Sequence, residues 1–92
     1  MSDRPRVLVT GMGTVSPYGI GTELFWEKLV AGTDGITELT RFELAGYRIR
    51  KGGEFKGEVD ELSGSPGGDL AARFLLSAAA EALDQAGLVA PV

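Results

Sequence analysis

The chain has 92 residues, within the range of one small domain, and a chain this short buries a smaller share of its surface than a longer one does. Its net charge of −4, with 9 Lys plus Arg against 13 Asp plus Glu, argues against nucleic acid or an anionic membrane surface as the principal partner. With no cysteine and no histidine it has no disulfide, no thiolate metal ligand, no cysteine nucleophile and not the commonest general base near neutral pH.

No apolar run reaches the length of about eighteen residues that a membrane span needs, and MSDRPR is not followed by a secretion-signal segment. The expectation is therefore a cytoplasmic protein. Val7-Leu8-Val9 is apolar on both faces, the pattern of a buried strand, and it ends at Thr10-Gly11. The glycines that follow, at 11, 13, 19 and 21, raise the question of a phosphate-binding loop. Thr22 is the expected N-cap of a helix running to Ala31, with Phe25, Trp26, Leu29 and Val30 forming its core face and Gly32 as its stop.

Residues 33–45 show no clear period and read as a connection, with a short helical turn around Phe42 to Leu44. Tyr47 and Ile49 alternate with Arg48 and Arg50, which predicts a half-exposed strand entering a tight turn at Lys51-Gly52-Gly53. A second short strand is expected within Glu54 to Val59. Leu62 to Gly68 is a loop by its Gly, Ser and Pro content.

The strongest helix runs from Asp69 to Ala86 and is closed by Gly87. Arg73, Ser77, Glu81 and Gln85 share one narrow stripe at steps of four, with Asp84 beside it, and nearly everything else is apolar or Ala. A helix apolar around most of its circumference belongs in the interior of a larger protein or at an interface. The Ala78-Ala79-Ala80 run marks a place where another backbone can approach closely, from this chain or another.

The glycine-rich stretch fits no nucleotide fingerprint. The dinucleotide pattern G-x-G-x-x-G has Ser16 at its third glycine, followed by Pro17, so no helix can start where the pyrophosphate would need it. The T-G-x-x-x-G-x-G variant has Val15 and Pro17 where glycines are required, and no Gly-Lys-Ser/Thr follows for a P-loop. A tight structural turn is the better reading. Glu54, Glu58, Asp60 and Glu61 could supply an acid/base pair, but nothing places them in an apolar pocket. Arg48, Arg50, Lys51 and Lys56, around Tyr47 and Phe55, could bind a phosphate or an acidic partner; the interleaved Glu54 and Glu58 favour a solvated hairpin.

Val9-Thr10-Gly11-Met12-Gly13, Ser16-Pro17-Tyr18-Gly19, Phe25 to Gly32 and Asp34-Gly35-Ile36 together resemble the amino-terminal segment of β-ketoacyl-[acyl-carrier-protein] synthases. The resemblance continues through Arg41-Phe42-Glu43, Gly53-Glu54 and Ala82 to Leu88, and so covers nearly the whole chain. It implies an α/β fold class: a partial thiolase-like fold, the N-terminal part of a layered α/β/α/β/α ketosynthase, with Val7–Val9 as a central strand. Residues 1–92 would then be an N-terminal fragment of the synthase N-terminal domain and not a complete domain.

Family members condense an acyl thioester with a malonyl-carrier-protein extender, in fatty-acid or polyketide synthesis, using a cysteine and two histidines downstream of the matching segment. The resemblance therefore implies no catalytic, cofactor-binding or metal-binding residue in this chain and no cofactor. Its implied partners are the remainder of the fold or a complementary ketosynthase chain, in a dimeric assembly, and acyl carrier protein through the complete enzyme. Fatty-acid enzymes often carry a basic, carrier-contacting stretch before the Ala-rich helix; here Ser65-Pro66-Gly67-Gly68 stands there, with Arg73 an exposed partial substitute one turn later. A non-catalytic subunit pairing with a full ketosynthase is the alternative, and a small nucleotide-binding protein is a third reading resting on the glycines alone.

Overall fold

Gly11 and Gly13 lie so close to the last helix that a Cβ built on Gly11 would overlap the carbonyl oxygen of Ala82, and one on Gly13 that of Ala78. This contact fixes the Ala run as the docking face and the glycine segment of this same chain as the element that approaches it. The computed structural model describes residues 4–88. Its elements in chain order are β1 (Val15–Ser16), β2 (Gly19–Ile20), α1 (Thr22–Ala31), β3 (Thr37–Glu38), β4 (Lys51–Gly52), a 3-10 turn (Val59–Glu61) and α2 (Leu70–Gln85).

β1 and β2 form an antiparallel hairpin with Val15 opposite Ile20 and Ser16 opposite Gly19, turned by Pro17-Tyr18. β3 and β4 form a separate antiparallel pair, Thr37 opposite Gly52 and Glu38 opposite Lys51. The segment after β4 returns to the first hairpin, where Lys56 N–H donates to Pro17 O at 3.1 Å. Both helices end as their sequences predict. Gly32 (φ 73°) and Gly87 (φ 78°) adopt the left-handed conformation, with Thr33 N–H donating to Lys28 O and Leu88 N–H to Leu83 O.

The interior is small. Among the described residues the buried apolar side chains are Leu44, Phe55 and Leu62, with Phe55 against Phe74 at 5.2 Å between ring centroids. The radius of gyration is 16.9 Å, well above the value of about 12 Å for a compact chain of this length. The arrangement is open, with an extent of 62 Å along its longest axis.

Several expectations are corrected. Val7–Val9 forms no strand: it is unpaired among the described residues and more than three-quarters exposed, because no described element lies beside it to complete a ladder. Gly21, not Thr22, is the N-cap residue of α1, and the Thr22 side chain is used elsewhere. Of the expected core face of α1, Phe25 is half-buried with its ring 6.2 Å from that of Tyr18, whereas Trp26, 65% exposed, and Leu29 and Val30 are uncovered.

In the middle of the chain, the strands expected at Tyr47–Ile49 and Glu54–Val59 do not form. The ladder instead joins Lys51–Gly52, read as a turn, to Thr37–Glu38, read as a connection. Gly52 permits this register by making room for the Leu39 side chain, which would lie 3.2 Å from an added Cβ. The helical turn expected at Phe42 to Leu44 is replaced by a bend in which Tyr47 N–H donates to Leu44 O at 3.0 Å.

The glycine contact yields a direct expectation. Gly13→Ala should destabilise the fold by about 1–3 kcal/mol or more, because the new methyl group meets a helix carbonyl that cannot rotate away. Urea titration followed by far-UV circular dichroism should show an earlier midpoint. Gly32→Ala, where an added Cβ meets nothing within 4 Å, isolates the separate cost of the left-handed backbone.

Candidate functional site

The polar stripe of α2 bonds back to the chain, with Arg73 and Ser77 buried, Glu81 half-buried and Gln85 at its exposed end. Residues four apart on a helix share one face. The stripe's members bond to backbone groups that, Val59 O excepted, have no partner within a helix or ladder. Gln85 Oε1 accepts from Met12 N–H at 2.9 Å, and Ser77 Oγ accepts from Ser63 N–H at 2.8 Å. Glu81 takes Thr14 N–H at 3.0 Å on one oxygen; on the other it takes Thr22 N–H at 2.9 Å and the Thr22 hydroxyl at 3.0 Å.

Arg73 corrects the expectation of an exposed arginine, for it is only 5% exposed. Its Nε donates to Ser63 O at 3.1 Å, and one terminal nitrogen donates to Val59 O and Leu62 O, each at 3.0 Å. A planar guanidinium suits this position because its donors diverge at fixed angles and match several carbonyls at once. It ties the 3-10 turn and the following loop to α2. An arginine held in this way is not available to a docking partner.

Glu81 resolves the glycine-rich stretch. Its carboxylate lies at the start of α1, where free N–H groups and the helix dipole favour an anion. The protein's own side chain therefore holds the donors that a phosphate would need. Burial is the largest single influence on Glu81 and raises its pKa, but the hydrogen bonds from Thr22 N–H, Thr14 N–H and the Thr22 hydroxyl together outweigh it, and the net shift is downward.

Beside this junction a cavity of about 340 Å³ is lined by Met12, Thr14, Thr22, Phe25 and Trp26. The hydroxyl oxygens of Thr14 and Ser16 are buried without a hydrogen-bond partner.

The carboxylates singled out in the sequence have separate fates. Glu54 accepts from the Thr40 hydroxyl at 2.7 Å and from Thr40 and Arg41 N–H, so it is a clasp between two loops. Its pKa is lowered, chiefly by the Thr40 hydroxyl, with burial opposing and the Thr40 and Arg41 amides and the Arg41 charge assisting. Glu58, Asp60 and Glu61 are exposed around the 3-10 turn. No group of metal-binding side chains occurs among the described residues. Of the basic cluster, Lys56 donates to Gly35 O and Glu54 O, whereas Arg48, Arg50 and Lys51 stay exposed.

The α2 stripe and the glycine contacts hold the first hairpin, the start of α1 and the loop before α2 against one helix. Residues 4–91 match the model of the family described as "Beta-ketoacyl synthase, N-terminal domain". The chain belongs to this family. It is 37% identical over 94 residues to the "Granaticin polyketide putative beta-ketoacyl synthase 2" of Streptomyces violaceoruber, covering 94% of this chain and 22% of that protein. It is 48% identical over 54 residues to the tetracenomycin polyketide synthase ketoacyl synthase beta subunit of Streptomyces glaucescens, covering 59% and 13% respectively. It is 39% identical over 56 residues to 3-oxoacyl-[acyl-carrier-protein] synthase 2 of Staphylococcus aureus strain COL, covering 61% and 14%. The chain thus spans at most about a fifth of the length of these curated relatives.

Two outcomes are expected of this ketosynthase segment. Arg73→Met keeps much of the side-chain volume but leaves the Leu62 and Ser63 carbonyls without their side-chain donor and Val59 O with the Leu62 N–H alone, and should cost at least about 2 kcal/mol of stability in a denaturant titration. Glu81, with its folded pKa below 4.5, stabilises the fold fully above that value and loses the contribution as pH falls through the folded pKa. Glu81→Gln should therefore be less stable near neutral pH and show a shallower loss of stability with acid, the remaining slope including Glu54, whose pKa is also lowered.

Proposed function

We propose that this polypeptide is the N-terminal portion of a ketosynthase that condenses acyl thioesters with malonyl-carrier protein in fatty-acid or polyketide synthesis. On this reading residues 1–92 are part of a thiolase-like domain, inactive alone, and complete only with the remainder of the fold or a complementary ketosynthase chain. The observation that carries the reading is the family match over residues 4–91 in a chain with no cysteine and no histidine. Supporting it are apolar surfaces that a self-sufficient domain would cover: Val7–Val9, the Trp26 face of α1, and Leu75 and Leu76 on α2.

The chain's own role is then structural. Its glycines and polar stripe hold the Gly11–Gly13 segment, a hairpin and two helices in one arrangement, against which the residues doing chemistry are positioned from elsewhere. No membrane-crossing helix occurs among the described residues, in keeping with a cytoplasmic enzyme fed by carrier protein.

A second reading is a non-catalytic subunit that pairs with a full ketosynthase. It is favoured by the relative whose name specifies a beta subunit of a polyketide synthase. The sequence that follows in the gene separates the two, since a continuation with a cysteine nucleophile and two histidines supports the catalytic reading and one without them supports the pairing subunit. Incubated alone with acyl and malonyl carrier proteins, the 92-residue chain is expected to release no carbon dioxide and form no 3-oxoacyl product. Turnover by the chain alone would overturn both readings.

A further inference from the structure

We draw no further inference here: the strongest candidate, the apolar cavity of about 340 Å³ that Met12 and Thr14 form with Thr22, Phe25 and Trp26 of α1, has the exposed Trp26 side chain as one wall, and nothing in the structure shows what covers it.

Discussion

The arrangement depends on one face of α2 having its polar groups bonded to the chain's own backbone. Arg73, Ser77, Glu81 and Gln85 bond to the backbone of four separate segments, around residues 59–63, 14, 22 and 12. These groups lie in loops, in the 3-10 turn or at the first residue of α1, where most N–H and C=O groups need partners from elsewhere. Helix α2 supplies them, and in doing so it replaces the sheet that short strands of two residues cannot provide.

That choice has a geometric consequence for the rest of the helix. With the polar stripe bonded to the chain, the apolar positions that cover most of the circumference divide between a narrow contact zone and open surface. The contact zone is Ala78 and Ala82, against which Gly11 and Gly13 pack, and Phe74, which meets Phe55. Leu75 and Leu76 remain exposed. Together with the uncovered Trp26 face they account for why so few side chains are buried.

The legibility of this structure in its sequence follows the range of the interactions. Both helices and their glycine stops are readable because periodicity and capping act within a few residues. The two-residue ladders are not, since a pair such as Thr37–Glu38 with Lys51–Gly52 is too short to show a period and its register is set by the Glu54 clasp and the space at Gly52. The stripe on α2 was visible as a pattern, but spacing gives a face and not its direction. One sign of that direction was present: a single polar row on an apolar helix is too narrow to be a solvated face. The partners of Glu81 lie 67 and 59 residues away in the chain, beyond the reach of any local rule.

The glycine-rich stretch shows how a familiar geometry can serve an unfamiliar end. A nucleotide loop uses glycines so that backbone N–H groups approach a phosphate at a helix N-terminus. Here the glycines let the backbone approach α2, and the anion at the N-terminus of α1 is a carboxylate carried by that same helix. The electrostatic preference is the same in both cases, since a helix start and free N–H groups favour negative charge whatever its source. What differs is that an internal anion joins two helices permanently, whereas a ligand comes and goes. A loop built in this way transmits position, holding α1, the first hairpin and α2 in fixed relation.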